Sequence, residues 1–449
     1  MKLLPKEESY QHQFKIKKNL NFNQLIKSIS QKFHAIPDKR RQSHCLYKQH
    51  DVMMGALSCM FFQEPSWLQF QKHLDEHSGD NNLHQLFNVG ELPSESQVRD
   101  ILDNVDSEHY RPVFKVLFEQ ARKDKQLEQY RIPLISGGVF YIAADGGQYH
   151  SSKKVHCECC LRKVRGSVTT YQHQVLQGAI MHPDCKQVIP MMPEPILNTD
   201  GNQKQDCEHK AMIRFLTKLR EDHPRLPILI GGDGLFSDGT IIKHVLSLDM
   251  HYLFTCKPGD HKFLIEWLEA FDTWPWLEHT DKKGDVHRYR WRNEVPLSGQ
   301  SNAPDVNYLE YEHIRADKVI YRNSWITDIE INQSNIWQFV QTGRCRWKIE
   351  NECFNTLKNQ GYEINHNFGH GKKHLSHNMY LSTLLAFFLH QIMELCDDAY
   401  QQSRIKFGSK RNLWERLRHI LSMFIIPDWY WLLAWSLNTK SGDFKIVDD

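Results

Sequence analysis

The chain has 449 residues, of which 40% are hydrophobic and 24% charged, and its formal net charge is +2 at pH 7. This composition excludes a disordered chain and predicts a soluble globular protein of two or three domains. The charge is uneven, because residues 1 to 50 contain eleven lysines and arginines against three acidic residues. Such a basic arm suits a polyanion such as nucleic acid, although solvated basic tails are common.

The N-terminal sequence MKLLPKEESY becomes acidic and polar too soon for a signal peptide. The apolar run from Ile420 to Leu437 is interrupted by Pro427 and Asp428, which favours a packed helical hairpin over a membrane span. Eleven cysteines without an even framework fit a reducing compartment. We therefore expect a cytoplasmic protein that acts on DNA and has no membrane partner.

Residues 1–132 are predicted to form a helical DNA-binding region. Helical apolar spacing or a helix-start pattern occurs in four segments, 20–33, 52–62, 91–105 and 110–127. An all-helical, basic-ended region of this size suits recognition of DNA ends. A plain helical scaffold fits these segments equally well.

Strands and helices alternate after Ile132. An apolar strand, 139–144, runs into Asp145 and two glycines, and a second apolar strand, 227–230, is followed by Asp233 within Gly-Gly-Asp-Gly. The other elements predicted here are strands 171–181, 186–192 and 251–256 and helices 205–220 and 240–248. The predicted element order is three strands, a helix, a strand, a helix and a strand. This is the order of a ribonuclease H-like domain, with acids at its first and fourth strands.

The predicted fold class is therefore α/β, a ribonuclease H-like catalytic domain flanked by helical N- and C-terminal regions. The first part of its core is 133–257. A β-rich insertion follows at 258–338, where strands 286–291, 308–314 and 318–329 alternate Tyr, Val, Ile and Trp with polar residues. The last two regions are a glutamate-bearing helix and loop that complete the core, 339–375, and a helical C-terminal region, 376–449.

Asp145, Asp233 and Glu350 are the predicted catalytic and metal-binding residues. Neighbouring strand ends would bring the two aspartates together, and the adjacent glycines would leave room for a phosphate backbone. Phosphodiester hydrolysis needs activated water and stabilised charge on two oxygens, which two Mg²⁺ or Mn²⁺ ions about 3.5–4 Å apart supply through hard oxygen ligands. A lone strand-end aspartate before glycine is usually a turn residue, so the prediction depends on the combination.

The chain resembles DDE transposases of bacterial insertion sequences, in the group with a Tyr-Arg-Glu-Lys pattern on the glutamate helix and a β insertion in a ribonuclease H-like fold. The resemblance covers nearly the whole chain. The matching segments are IPDKRR (36–41), PSESQVRDILD (93–103), AADGGQYHSSKKVHC around Asp145, LIGGDGLFSDG around Asp233, FTCKPGDHKFL (254–264), RWKIENECFNTLKNQGYE (346–363) and HNFGHGKKHLS (366–376).

This resemblance implies a DNA transposase that uses Mg²⁺ or Mn²⁺ to cut element ends and then transfers the freed 3′-hydroxyl into target DNA. It also implies a homodimer that holds inverted-repeat ends at the bacterial nucleoid. Arg346 matches the motif arginine, and Glu350 matches the metal-binding glutamate.

Two positions depart from the pattern. Gly343 stands where the motif has tyrosine, and Leu357 stands where it has lysine. Glu352 is therefore a rival third acid, and on a regular helix it points about 200° away from Glu350, so only one of them can face the aspartates. Glu350 is preferred because it follows Arg-Trp-Lys-Ile.

Several residues are predicted DNA contacts. A tryptophan in the β insertion, Trp291 or Trp325, can stack on a base displaced from a duplex end, although most strand tryptophans belong to the core. Arg290 alternates along one strand face with two other arginines, and a DNA-facing stripe or an exposed salt-bridging face explains them almost equally well. The predicted DNA contacts are Arg346, Lys358, Trp291, Arg290 and Lys372.

Cys157 and Cys160 form a C-x2-C pair, followed later by Cys185, Cys207 and His209. Thiolates and imidazoles at such spacing can bind structural zinc, here through Cys157, Cys160 and Cys207. Because the second pair is not a clean C-x2-C, ordinary reduced cysteines remain the commoner explanation.

His366, His370 and His374 are four residues apart, as metal ligands on a helix would be. Gly369 and Gly371 would break that helix, however. The pattern therefore predicts loop residues that contact the backbone in place of metal ligands.

Two other functions stay open. The departures at Gly343 and Leu357 suit a transposase-derived protein that binds DNA ends without cutting them. Another ribonuclease H-like nuclease, such as a junction or repair nuclease, would cleave DNA without strand transfer. Binding without nicking in Mn²⁺ would identify the first, and cleavage without transfer would identify the second.

Overall fold

The computed structural model describes residues 2–5, 14–41, 43, 45–76, 79–198, 208–271, 273–438 and 444–447. The protein is mixed α/β, with a 12-stranded mixed sheet and helical flanks. Its chain divides into two compact units, each built from separate segments. The helical unit contains Met1–Leu127, Gln148–His173 and Phe354–Asp449, and the sheet unit contains Glu128–Gly147 and Gln174–Cys353.

The N-terminal part of the helical unit consists of helices, as its apolar spacing predicts. Asn21 caps the first helix by accepting a hydrogen bond from the Gln24 amide, and every residue of the second helix is buried. A short strand β1 (Lys2–Pro5) precedes these helices. The helices are α1 (Phe22–His34), α2 (Gln49–Phe61), α3 (Trp67–Glu76), α4 (Gly79–Phe87), α5 (Glu95–Asp103) and α6 (Arg111–Lys123).

The next strands differ from the prediction in three ways. The strand that begins at Val139 continues through Asp145 to Ser152. An additional strand, which was not predicted, forms a hairpin with the strand that follows it. The predicted strand 186–192 is reduced to a two-residue strand and a separate short one. These elements are β2 (Arg131–Ile132), β3 (Val139–Ser152), β4 (Leu161–Arg165), β5 (Val168–Ile180), β6 (Ile189–Pro190), β7 (Glu194–Ile196) and α7 (Glu208–Asp222).

The second half of the core follows its prediction closely. Its strands are short, fully buried at their centres and parallel to β3, as expected for apolar runs separated by helices. Asp238 caps the helix between them by accepting hydrogen bonds from the Thr240 and Ile241 amides. The elements are β8 (Ile228–Gly232), α8 (Gly239–Ser247) and β9 (His251–Thr255).

The β-rich insertion continues the same sheet. Its last strand pairs antiparallel with β9, so the insertion extends the core sheet. The first helix and the first strand of the insertion were not predicted from the sequence. Its elements are α9 (Lys262–Glu269), β10 (Trp276–Thr280), β11 (Val286–Pro296), β12 (Asp305–Arg315) and β13 (Lys318–Thr327), and α10 (Ile336–Cys345) follows.

The strand order of the sheet is β10-β11-β12-β13-β9-β8-β3-β5-β4. Three short strands lie off this path, with β2 beside β3 and both β6 and β7 beside β5. The strands β3, β8 and β9 are mutually parallel, whereas β4 and the insertion strands pair antiparallel with their neighbours. The carboxyl ends of the parallel strands therefore meet at one edge, which positions the acids described below.

The C-terminal part of the chain is helical. A π-helical turn, Ile349–Phe354, leads into it. The apolar run 420–437 is divided between two helices at Pro427 and Asp428, as predicted for a helical hairpin. The elements are α11 (Asn355–Asn359), α12 (Leu375–Cys396), α13 (Asp398–Phe407), α14 (Lys410–Met423), α15 (Trp429–Asn438) and β14 (Phe444–Val447), which pairs antiparallel with β1.

Helix α12 is the central helix of its unit. It packs against α2 and α5. Within the described part of the chain it is the one helix that is long and apolar enough to cross a membrane, with a mean hydropathy of 1.3 in its most apolar 18-residue window. Because 89% of that window is buried inside the protein, its apolar character is accounted for by packing.

Candidate functional site

The register of the sheet brings Asp145 next to Asp233. The parallel pairing of β3 with β8 ends at Ala143 and Gly231. Continuing that register by two residues puts the two aspartates on adjacent strands, which lie about 4.8 Å apart in a sheet. Asp233 directly follows its strand as predicted, whereas Asp145 lies inside β3. The prediction that Asp145 ends its strand is wrong, because β3 keeps a partner in the long strand β5 after β8 has ended.

Each aspartate is oriented by local hydrogen bonds. Asp145 Oδ1 accepts from the Gly146 amide at 2.9 Å, and Asp233 Oδ1 accepts from the Leu235 amide at 2.9 Å and so caps a short 3-10 turn. The Nζ of Lys257 lies 3.9 Å from Asp233 Oδ2. These contacts leave the second oxygen of each carboxylate for partners in the site.

Glu350 reaches the same edge from the π-helical turn. Arg346 connects it to the first aspartate, since Arg346 Nη1 donates to Asp145 Oδ2 at 3.1 Å and lies 3.7 Å from Glu350 Oε1. The Arg346 side chain is only 12% exposed, so water screens its ion pair with Asp145 weakly, whereas the Glu350 side chain is 44% exposed. Of the two rival glutamates, Glu350 lies beside Arg346, and its charge raises the pKa of the Asp145 carboxyl.

A fourth acid, Glu208, also faces this cluster, and the sequence analysis missed it. Glu208 is the first residue of α7, and its carboxylate lies against Gly146 so closely that a Cβ at position 146 would overlap it. The glycine therefore accommodates a carboxylate in place of the predicted phosphate backbone. An acid in the first turn of a helix normally indicates only favourable interaction with the helix dipole, so the sequence carried no signal for this role.

The four acids form a partly buried, electronegative cluster. Burial raises the pKa of the Asp145 carboxyl, and the charges of Glu350 and Asp233 raise it further, against the opposing effects of Arg346 and the Gly146 amide. Burial is also the main cause that raises the pKa of Glu208, followed by the charges of Asp145 and Asp233. A divalent cation would neutralise part of this negative charge, and carboxylate oxygens are the hard ligands that such cations prefer.

The two departures from the resembled motif have a structural explanation. A Cβ at Gly343 would lie 2.5 Å from Nε1 of Trp325, whose ring is 1% exposed and fills the space a larger residue would need. Leu357 is fully buried, so a lysine there would place its charge in the core. Lys358, the next residue, is half-buried. Trp325 has no surface on which a displaced base could stack.

Two of the three arginines on β11 of the insertion, Arg288 and Arg290, are paired with acids, whereas Arg292 lies over the Phe271 ring. Arg290 lies 3.9 Å from Glu310, and Arg288 lies 3.1 Å from Glu278, so the exposed salt-bridging face describes this surface better than an unpaired basic stripe. Trp291 is 8% exposed, and its ring is largely unavailable for base stacking.

Lys372 is exposed in the loop before α12. Its backbone amide donates to Asp103 Oδ2 at 2.9 Å, in a turn that also ties the amides of residues 373, 374 and 375 to the same carboxylate. The Lys372 side chain can therefore project from a fixed backbone.

A second cluster combines sulfur and nitrogen atoms. Cys157, Cys160, His173 and His370 could hold a metal ion, because their ligand atoms all lie within 4.8 Å of one another. No other set of three or more metal-ligating side chains in the described ranges meets that limit. The four acids are therefore spaced more widely in this structure, with Arg346 between Asp145 and Glu350.

The cysteine–histidine cluster differs from the zinc site that the sequence predicted. It contains His370, which was predicted to contact the backbone from a loop, and His173 on β5, which the predicted zinc set did not include. Cys185 and His209 lie elsewhere, near Gln129 and Asp238 respectively. Cys207, the third predicted zinc ligand, is outside the described residues.

Neither a model of a known protein family nor a curated protein sequence matches this chain. The function is therefore inferred from the side chains of the two clusters and from the register that assembles them.

Proposed function

We propose that the protein is a DNA transposase of the DDE type, in which Asp145, Asp233 and Glu350 bind Mg²⁺ or Mn²⁺. The observation that carries the proposal is the convergence of these three acids, from distant parts of the sequence, at the carboxyl edge of two parallel strands. The strand order supports a ribonuclease H-like core, since β3 is central, with β5 on one side and the parallel strands β8 and β9 on the other.

The donor set suits hard divalent cations, because it consists of carboxylate oxygens with one arginine and one lysine nearby. When bound, such cations would lower the pKa of a water molecule and stabilise charge on the attacking and leaving oxygens. Asp145 and Asp233 would provide ligands from adjacent strands, and Glu350 would complete the set. Glu208, whose carboxylate lies against Gly146, would add a fourth carboxylate.

The remaining site residues would position the reacting groups. Arg346 would hold Asp145 and Glu350 in fixed orientations, and its planar guanidinium can contact a phosphate when the carboxylates take up cations. Lys257, beside Asp233, would contribute positive charge toward the DNA backbone. In the cleavage step water would form the new P–O bond and the element's 3′-oxygen would leave. In transfer that 3′-hydroxyl would attack a target phosphodiester and release a target 3′-hydroxyl.

The proposal is tested with the full-length protein and a duplex that carries the DNA flanking its coding region. We expect nicking and strand transfer that require Mg²⁺ or Mn²⁺. Asp145→Asn, Asp233→Asn and Glu350→Gln should reduce cleavage to background while DNA binding persists. Glu352→Gln is the matched control, since it makes the same chemical change two residues away and should keep most of the activity.

Cleavage that survives in Asp145→Asn, or that depends on Glu352 and not on Glu350, would contradict the proposed site. Wild-type protein that binds the ends in Mn²⁺ without nicking them would identify a DNA-binding descendant that no longer cuts. Cleavage without strand transfer would identify another nuclease.

A further inference from the structure

We propose that Cys157, Cys160, His173 and His370 bind one structural zinc ion, separate from the acidic cluster. All four residues belong to the helical unit, whereas the acids belong to the sheet unit. This inference does not depend on the proposed catalytic function.

The distances between the ligand atoms match a tetrahedral zinc site. The two sulfurs lie 3.8 Å apart, Nε2 of His173 lies 3.4 Å from each sulfur, and Nε2 of His370 lies 3.6 Å from the Cys160 sulfur. With Zn–S bonds of about 2.3 Å and Zn–N bonds of about 2.0–2.1 Å, tetrahedral geometry requires about 3.8 Å between sulfurs and about 3.5 Å between sulfur and nitrogen.

The local backbone also has the form of a metal-binding knuckle. The Cys160 amide donates to the Cys157 carbonyl at 3.3 Å, and the Cys157 amide points to the Cys160 sulfur at 3.4 Å. This tight turn directs both thiols to the same side. Both are free cysteines, and a sulfur separation of 3.8 Å is far too long for a disulfide bond of about 2.05 Å.

The donor set determines which metal is bound and for what purpose. Thiolates and imidazoles favour zinc over Mg²⁺, which prefers oxygen ligands. Four protein ligands, three of them buried, leave no open position for water or substrate, which is typical of a structural site. The Tyr149 ring, stacked on His173 at 5.7 Å, supports the orientation of that imidazole.

The hairpin that carries the two cysteines has little apolar packing. Of the four aliphatic side chains in the segment 152–168, only Leu161 is buried, and Val164 is 67% exposed, so hydrophobic burial contributes little to holding the segment. The zinc ligands come from a turn, from β5 and from the loop before α12. A zinc ion would therefore cross-link this hairpin to that loop and supply the stability that packing does not.

The experiment measures metal content and geometry in the full-length protein. We expect one zinc ion per chain by mass spectrometry of the native protein, and a lower thermal unfolding midpoint after treatment with 1,10-phenanthroline. Cobalt substitution should produce the intense visible bands of a tetrahedral site together with thiolate-to-cobalt charge transfer. Cys160→Ser and His370→Asn should lose the metal and these bands.

Cys185→Ser is the matched control, because Cys185 is a half-buried free cysteine outside the cluster and its replacement should leave the zinc content unchanged. If Cys160→Ser does not fold, the cobalt spectrum of the wild-type protein still decides the geometry. Wild-type protein without zinc, an octahedral cobalt spectrum, or full zinc content in His370→Asn would overturn the assignment. DNA cleavage is not a readout here, so a failure of the catalytic proposal would remain distinguishable.

Discussion

At Gly146 the absence of a side chain provides the space that the Glu208 carboxylate occupies. That carboxylate is brought among like charges in a partly buried site, which raises its pKa. Such an arrangement opposes folding, because burial and repulsion both penalise the ionised acid. Sites that accumulate unfavourable charge are candidates for function, since folding alone would not select them.

Glu208→Gln should raise the thermal unfolding midpoint and at the same time reduce metal-dependent cleavage. The amide fills the same volume without a negative charge, so it relieves repulsion from Asp145 and Asp233 while removing a possible cation ligand. Calorimetry and the cleavage assay measure the two effects. Glu221→Gln, an exposed position near the other end of α7, is the control and should change neither quantity; a lower midpoint in Glu208→Gln would contradict this account.

At the scale of elements, one close contact positions the glutamate-bearing turn. Gly343 in α10 lies directly against the Trp325 indole of β13, and a residue with a Cβ would push the helix away. Because Arg346 and Glu350 follow immediately after α10, this close approach helps to set their distance from β3. The missing motif tyrosine is thus explained by the packing of this protein's own helix on its sheet.

Another element-scale feature is the cap of α13. Asp397 Oδ1 accepts from the Tyr400 amide at 3.0 Å, and Oδ2 accepts from the Tyr430 hydroxyl at 3.1 Å. Burial raises the pKa of this carboxyl from 3.8 to about 6, and Asp398 contributes in the same direction. The folded state therefore holds the proton more tightly than the unfolded state does.

Asp397→Asn should become increasingly stabilising, relative to wild type, as pH rises from 4 to 7. The wild-type cap is fully favourable below the unfolded pKa, and its contribution is lost as pH rises through the folded pKa of about 6. Asparagine keeps a capping oxygen without ionising, so the difference in unfolding free energy should grow by up to about 3 kcal/mol. Denaturant unfolding at several pH values measures it. Asp317→Asn, at an exposed turn of the sheet unit, is the control, and an Asp397→Asn difference that does not vary with pH would contradict the prediction.

At the scale of the whole molecule, exposed positive charge is concentrated on one hairpin. Between Ser152 and Val168 there are five lysines and arginines and one acid, Glu158. Arg288 and Arg290 of β11, in contrast, face glutamates on neighbouring strands. The hairpin, held by the proposed zinc ion, is therefore the described surface best suited to phosphate contacts. Its exposed cations are Lys153, Lys154, Arg162, Lys163 and Arg165.

A fourfold variant of this hairpin should bind DNA more weakly, and its affinity should depend less on salt concentration. The variant replaces Lys153, Lys154, Lys163 and Arg165 by glutamine. Each lost phosphate contact should reduce the slope of log affinity against log salt by about 0.9. Fluorescence anisotropy at several salt concentrations measures both quantities. Lys282→Gln with Lys283→Gln, at an exposed hairpin tip in the sheet unit, is the comparison and should have a smaller effect per charge. An unchanged slope in the fourfold variant would exclude the hairpin as a DNA contact.

The sequence by itself determined most of the local structure. Apolar periodicity and capping residues predicted α1, α2, α5, α6 and α8, and apolar runs bounded by glycines predicted β8 and β9. The same patterns selected the three acids as candidates, because Asp233 follows an apolar strand and Asp145 and Glu350 lie in recognisable sequence motifs. These features depend on neighbouring residues, so they can be recognised without knowledge of the fold.

Only the tertiary structure decided which distant residues meet. Four features depend on contacts between segments that are remote in the sequence. They are the continuation of β3 beyond Asp145, the pairing of β13 with β9, the approach of Glu208 to Gly146 and the contact of His370 with Cys160. Local sequence patterns do not predict such contacts. A glutamate that begins a helix, or a histidine in a loop, has the same neighbouring residues whichever distant side chain it contacts. Their roles follow from strand register and close packing, which the folded chain alone establishes.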